Sequence, residues 1–426
     1  MKSFRPVAIL GAKRIPFVRS FAQYSKVPLG ELMSTTLKAL VRDSKLQGEI
    51  LGDVALGAVI QRTSDFALAR EAVLDSGLDP HTPAYNVQRA CGTSLEAAGQ
   101  IALKIAAGRI ESGIAGGADS NSDVPILLSR EAGWKLVAFS KARSLAERLK
   151  ILSTVRPSDF GVRVPGVQEP RTGLSMGEHC ELMVKEWKIS REEQDAFALL
   201  SHKNGSAAYE AGFMDEFLVE YKGLKRDTNL RADTSMEKLA KLKPAFDPSP
   251  AGTLTAGNSS PLSDGAAAVL LGSEEFAAKH SLPIWAYLTD VEAAAVDFVG
   301  GEGLLMAPTY AVARMLQRNK LKLQDFDFYE IHEAFAGQVL CTLKAWESDE
   351  YCRSKLGLGG AMGSIDRAKL NIHGSSVSLG HPFAATGARV LGTAAKTLRE
   401  KKSGRGLISI CTAGGMGVVA IVEASA

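Results

Sequence analysis

The sequence predicts an α/β fold built of two similar halves, with a mainly helical segment inserted between them. Three observations lead there. The glycines, 41 of 426 residues, gather beside β-branched runs as strand-to-helix turns and do not form linkers. Apolar strand patterns alternate with amphipathic helical ones, which implies a mostly parallel sheet covered on both faces. A unit of strand, glycine-bearing turn, small-residue helix and strand occurs twice, so the core reads as duplicated.

In chain order, Pro6-Val7-Ala8-Ile9-Leu10 reads as a buried strand, Leu29 to Leu46 as an amphipathic helix, and Val54 to Ile60 as a second strand. Tyr85-Asn86-Val87-Gln88 then turns at Arg89-Ala90-Cys91-Gly92 into the helix Ser94 to Ala107 and the strand Ile110 to Ala118. The later copy runs from Asn371 to Leu379 as the strand, through Gly380-His381-Pro382, into the helix Ala384 to Arg399 and the strand Gly406 to Cys411. The first half is drawn as residues 1–122 completed by 251–285, and the second as 286–426. Residues 123–250, with little β pattern, more charge and the Pro-bearing stretch Arg156 to Arg171, form the inserted loop domain. From Arg130 to Arg156, seven basic residues are interleaved with Trp134, Leu136, Leu145 and Leu149, the pattern of an amphipathic surface helix. A solvated face, a membrane surface and a partner contact all suit that pattern.

Composition bounds the function. A net charge of +3 supplies no global field for nucleic acid, and 46% hydrophobic with 23% charged residues excludes disorder and fibre. Five cysteines without a CxxC pair argue against a disulfide framework and structural zinc, and for a reducing compartment. The first residues lack a signal-peptide core and no run approaches a membrane span, so a cytoplasmic or organelle-matrix location is expected.

Four places carry chemistry. Cys91 sits before a helix N-terminus, where the macrodipole is expected to lower a thiol pKa. His381 occupies the equivalent turn of the other half and is placed to take the Cys91 proton. Cys411 ends a strand before the glycine-rich turn Thr412-Ala413-Gly414-Gly415, whose N–H groups can line an oxyanion pocket. His332 lies in Glu330-Ile331-His332-Glu333-Ala334-Phe335-Ala336, which is not an HExxH zinc motif because position 336 is Ala.

Together with Gly116-Gly117-Ala118-Asp119-Ser120 and the stretch Gly252 to Ala268, these elements resemble the thiolases, which make or cleave 3-ketoacyl-CoA. The resemblance implies the thiolase fold, a duplicated five-layered αβαβα core with an inserted mainly helical loop domain. It implies that Cys91 is the acyl-accepting nucleophile, His381 its base, and Cys411 the acid/base at the acetyl α-carbon. His332 stands where many thiolases carry an Asn that holds a water in an oxyanion hole. The backbone N–H groups of Cys91 and Ala413 fall at the second oxyanion hole. Ser260 falls near the pantetheine arm of CoA and Arg231 near its adenine end.

HEAFA, Cys-x-Ala-Gly-Gly, Gly380 to Gly387 and Gly173 to Glu178 look more like the β-subunits of fatty-acid-oxidation complexes than like acetoacetyl-CoA thiolases. The activity so implied is thiolysis of 3-ketoacyl-CoA in β-oxidation. CoA is then a substrate, with no tightly bound cofactor and no metal. Implied partners are a second copy or a dimer of dimers, a hydratase/dehydrogenase α-subunit and a membrane surface met through 130–156. An acetyl-CoA acetyltransferase working in the Claisen direction and a silent CoA-binding scaffold are the alternatives. His373 and Ser375 receive no role.

Overall fold

The computed structural model describes residues 4–161, 166 and 168–425, so part of the Pro-bearing stretch, 162–165 and 167, lies outside the described residues. Among the described residues ten strands form: β1 Ala8–Arg14, β2 Val18–Arg19, β3 Asp53–Gly57, β4 Ala84–Asn86, β5 Ser112–Asp119, β6 Ser263–Gly272, β7 Ala286–Ala295, β8 Phe328–Ile331, β9 Arg405–Thr412 and β10 Met416–Glu423. The helices of the first half are α1 Leu29–Asp43, α2 Leu68–Ser76 and α3 Thr93–Ala106. The insert carries α4 Arg130–Lys141, α5 Leu145–Leu152, α6 Met176–Glu186, α7 Arg191–Glu210 and α8 Met236–Ala240. Then follow α9 Glu274–Lys279, α10 Ala307–Asn319, α11 Ala336–Glu347, α12 Asp349–Ser354, α13 Ser376–Leu379 and α14 Thr386–Lys401.

The strands lie in the order β4-β3-β5-β6-β1-β7-β10-β9-β8, with β2 on β6. The duplication shows in the pairing. From the antiparallel junction of β1 with β7, each half runs outward through two antiparallel pairs and one parallel pair: β1–β6–β5–β3 and β7–β10–β9–β8. The sheet is therefore mixed, not mostly parallel as expected. Gly414 and Gly415, both at positive φ, close β9 onto β10 as a hairpin, and β6 returns from the insert against the direction of β5.

At the outer edge β4 adds to β3, whereas its counterpart in the second half is a single bridge between Tyr329 and Leu370. The strand expected from Asn371 to Leu379 does not form. The Asn371 side chain accepts from the Ile331 N–H at 2.8 Å and donates to Ile331 O at 2.9 Å, replacing the backbone bonds a strand would make. The chain then turns at Gly374, where a Cβ would lie 2.7 Å from the Gly205 backbone of α7.

Alternation along the strands sorts their side chains into separate cores. Ala266, Ala268 and Leu270 face α1 and α2, while Ala267, Val269 and Leu271 face inward with Leu95 and Ile101 of α3. Ile408, Ile410, Val418 and Ala420 join that inner core with Ala388, Leu391 and Leu398 of α14. Val419 and Ile421 face the opposite way, onto Val312 and Met315 of α10 and Val339 of α11. Helix, sheet, helix, sheet, helix is the result, with α3 and α14 as the middle layer.

The expected helix from Arg130 to Arg156 is two helices. Ser144 accepts from the Glu147 N–H and Glu147 accepts from the Ser144 N–H, a capping box that restarts the helix as α5. Trp134, Leu136, Val137, Leu145, Leu149 and Leu152 stay exposed on α4 and α5. Among the described residues no helix is long and apolar enough to cross a membrane, and all five cysteines are free thiols.

Candidate active site

Cys91 is presented by a strained turn. Ala90 holds φ at +44°, a left-handed conformation that a residue with a Cβ adopts at a cost of about 1–2 kcal/mol. Thr93 at the start of α3 fixes it: its hydroxyl donates to Ala90 O at 2.7 Å and accepts from the Arg89 N–H at 2.9 Å. Gly92 is required because a Cβ there would sit 2.8 Å from Val418.

His381 comes in from the other half. Gly380, at φ +108°, lets the chain pass where a Cβ would lie 2.5 Å from Asn229, and the His381 N–H donates to Ser263 Oγ at 3.1 Å. Buried Asp119, ending β5, accepts from the N–H groups of Val59, Ile60 and Ala384, tying this turn to the first half. His381 Nε2 thereby lies 3.2 Å from Cys91 Sγ, and its Nδ1 lies 2.7 Å from Thr386 Oγ1 at the start of α14. The His332 ring centroid is 4.2 Å from that of His381. Its Nδ1 meets Ser376 Oγ at 2.8 Å, while its buried Nε2 has no partner. Ligand-type atoms of Cys91, His332 and His381 lie within 4.8 Å of one another, so these are the residues that could hold a soft cation.

The other expected residues fall around this trio. Cys411 is buried at the end of β9 in an apolar cluster with Cys180, Leu254 and Phe335. The backbone N–H groups of Ala413 and of Cys91 itself act on the Cys91 thiol in favour of its thiolate. The next N–H, of Gly414, donates to the buried Glu169 carboxylate at 2.6 Å, which holds the turn. Ser260 lies on the rim: its N–H donates to Ala334 O at 3.0 Å, and the bridges Ser259 to Phe335 and Leu262 to His381 flank it. Arg231 is exposed farther out on a segment anchored by Asn229, which donates to Leu379 O at 3.3 Å. His373 lies outside the trio, stacked on Phe213 at 3.6 Å and 9°.

Burial governs the charges. The Cys91 thiol is pushed up to about 12 by desolvation, against the pull of the two N–H groups, so the expected lowering by the helix dipole is overridden. Burial, helped by the charge of Arg389, drives His381 down to about 3, and burial, helped by His381 and then Arg389, drives His332 well below its usual value. Cys411 is raised by burial and then by Cys91. The resting site is thus a neutral thiol beside neutral imidazoles. Thr93, Glu169, Ser376 and Arg389 lie in no motif of the sequence, Asp119 and Thr386 lie in two of them without an assigned role, and only the fold shows that all six hold the site.

Residues 7–275 match the family described as thiolase, N-terminal domain, and residues 282–424 that described as thiolase, C-terminal domain. A 3-ketoacyl-CoA thiolase of Pectobacterium carotovorum is 42% identical over 423 residues, 98% of this chain and 96% of the relative. One of Yersinia pestis is 40% identical over the same share. The structure of human mitochondrial 3-ketoacyl-CoA thiolase in complex with CoA has a TM-score of 0.81 at 27% identity, covering 99% of this chain and 98% of that one. The Bacillus anthracis acetyl-CoA acetyltransferase structure has a TM-score of 0.82 at 30% identity, over 100% of both chains. Matched along both halves and almost end to end, the chain belongs to the thiolase family of acyltransferases.

Proposed function

We propose that the chain cleaves 3-ketoacyl-CoA with CoA in fatty-acid β-oxidation through an acyl-enzyme on Cys91. The observation that carries the reading is the 3.2 Å approach of His381 Nε2 to Cys91 Sγ, with the ring held from behind by Thr386. The Cys91 S–H proton passes to His381 Nε2 as the sulfur bonds to the 3-keto carbon, so the neutral pair becomes charged only when attack begins. Negative charge on the 3-keto oxygen is met by His381, now protonated, and by the side of His332. The C2–C3 bond then breaks, its electrons pass to the acetyl-CoA enolate, and the Cys411 S–H supplies a proton to the α-carbon.

Cys91 keeps the acyl chain as a thioester whose oxygen faces the N–H groups of Cys91 and Ala413. In the second stage the Cys411 thiolate takes the proton of free CoA, whose sulfur attacks the thioester. Shortened acyl-CoA leaves, and Cys91 recovers its proton from His381. Ser260 on the rim lies beside the pantetheine arm, and the Arg231 guanidinium farther out faces the adenine end. Every charge that develops meets a side chain or N–H of the protein, and CoA acts as substrate.

Loss of 3-ketoacyl-CoA absorbance on adding CoA, run with C4 and C16 substrates, tests this. Turnover with acyl transfer to Cys91, seen as a mass increment, is expected, and Cys91→Ala should reduce the rate at least about 10³-fold. An unchanged rate in that variant would overturn the mechanism. The equal fold likeness to the Bacillus anthracis acetyl-CoA acetyltransferase favours the Claisen direction as the second reading. Activity confined to C4 would select it.

The assembly follows from the same reading: a homodimer or dimer of dimers, at a cytoplasmic or matrix location. Exposed Trp134, Leu136, Leu145 and Leu149 beside basic Arg148 and Lys150 support a contact of α4 and α5 with a hydratase/dehydrogenase subunit or a membrane. Co-sedimentation with anionic vesicles separates these two.

A further inference from the structure

His332 and His381 face the same small space, yet their surroundings give them different protons. His381 accepts the Cys91 S–H on Nε2, which puts its own proton on Nδ1, toward Thr386 Oγ1. For His332 the answer comes from a complete accounting of one hydroxyl. Ser376 Oγ has two neighbours in hydrogen-bond range: Arg389 Nη2 at 2.8 Å and His332 Nδ1 at 2.8 Å. A guanidinium only donates, so Arg389 occupies a lone pair of Ser376. Were Nδ1 to donate as well, the single Ser376 proton would be left in a fully buried position with no acceptor. The hydroxyl therefore donates to Nδ1.

We infer that Ser376, held by Arg389, locks His332 in the tautomer that carries its proton on Nε2, making it a hydrogen-bond donor to the substrate's 3-keto oxygen. Nε2 is buried and without a partner, and the His332 ring lies beside that of His381 in the group that includes the Cys91 sulfur. A polar atom in that state is costly unless a ligand meets it. The oxygen that gains charge during attack is such a ligand.

The lock is itself braced. Arg389 projects from α14, and its Nη1 and Nη2 also donate to Ser375 Oγ at 3.1 and 3.2 Å, which gives Ser375 a place in the same device. Glu330 lies two residues before His332 and is completely buried, with both carboxylate oxygens unpartnered; Arg389 is the cation that acts on it. Burial first, and the charge of Arg389 after it, disfavour a second proton on either imidazole. Ser376 and Arg389 are positioning residues and touch no substrate.

This deepens the thiolase reading and rests on it, but its test does not need turnover. The chain has seven histidines, so ¹⁵N-histidine labelling gives a tractable spectrum in which His332→Asn assigns the His332 signals. The wild type is expected to show His332 protonated on Nε2. Ser376→Ala should convert that signal to a mixture of tautomers and lower kcat about 10-fold or more with KM within about twofold, while Ser376→Thr restores both. A wild-type His332 protonated on Nδ1 would overturn the lock, even should Ser376→Ala fail to fold. So would a folded Ser376→Ala protein with the wild-type tautomer. Absence of thiolysis in the wild type would instead overturn the reaction and leave the tautomer result standing.

Discussion

At the scale of single residues, burial decides the chemistry of the site. A thiol driven up to about 12 and an imidazole driven down to about 3 do not form an ion pair at rest, so Cys91 and His381 wait as a neutral hydrogen-bonded couple. Such a couple exchanges its proton when a polarised carbonyl arrives to take the electrons of sulfur. His332 then matters as a donor. Replacing it with Ala should lower kcat about 10²–10³-fold, the usual effect of one lost oxyanion donor, and His332→Asn should recover part of the rate by hydrogen bonding through its amide. Equal rates in the Ala variant and the wild type would remove His332 from the mechanism.

His373 shows the same force without chemistry. Stacked on Phe213 and close to the Lys396 ammonium, it is held down at about 4, first by burial and then by that charge. Its folded value lies below the unfolded one near 6.5, so the unfolded chain binds the proton more readily between those two values. The wild type should therefore lose stability relative to His373→Gln as pH falls from about 6.5 to about 4. Thermal melting of both proteins across that window checks the sign.

At the scale of elements, the site depends on how closely two helices approach. α3 starts just after Cys91 and α14 just after His381, and they are packed together as the middle layer. Gly387 makes this possible, since a Cβ there would lie 2.4 Å from the backbone nitrogen of Leu95. Backbone cannot yield as a flexible side chain would. Gly387→Ala should cost about 1–3 kcal/mol of stability and lower kcat more than KM, because the two helix starts are pushed apart. Calorimetry with steady-state kinetics tests both parts.

Periodicity located α1, α3 and α14 to within a few residues, because each buries one face against a sheet. It failed where side chains replace backbone pairing. The Asn371 side chain takes the place of the expected strand by bonding Ile331 at both N–H and O, and the Ser144–Glu147 capping box splits a continuous amphipathic pattern into α4 and α5. The capping box spans three residues and the Asn371–Ile331 pair 40, and both are weaker in sequence than the apolar repeat that overran them.

At the scale of the whole molecule, the insert is bound to the first half by a buried charge pair. Arg14 of β1 donates to Asp227 through Nη1 at 2.6 Å and Nη2 at 2.8 Å, and Asp227 also accepts from the Phe17 N–H and the Tyr209 hydroxyl. Both charged groups are almost fully buried. Asp227→Asn keeps the shape but leaves Arg14 uncompensated, and should cost about 3–5 kcal/mol. A denaturation midpoint unchanged by that substitution would show that the insert is held by its apolar contacts alone.

What the sequence alone determined is the set of chemical types and their local settings: two thiols, two imidazoles, each at a glycine-bearing turn or strand end, on a repeated α/β plan. Local pattern suffices for that because turns, helix starts and strand ends are short-range properties. Only the tertiary structure decided that Cys91 and His381, 290 residues apart, meet at 3.2 Å. It also decided that burial widens the ordinary gap between their pKa values and that His332 is governed by a hydroxyl and a guanidinium from elsewhere in the chain. Distance and desolvation arise from packing, and packing joins residues whose spacing in sequence carries no signal.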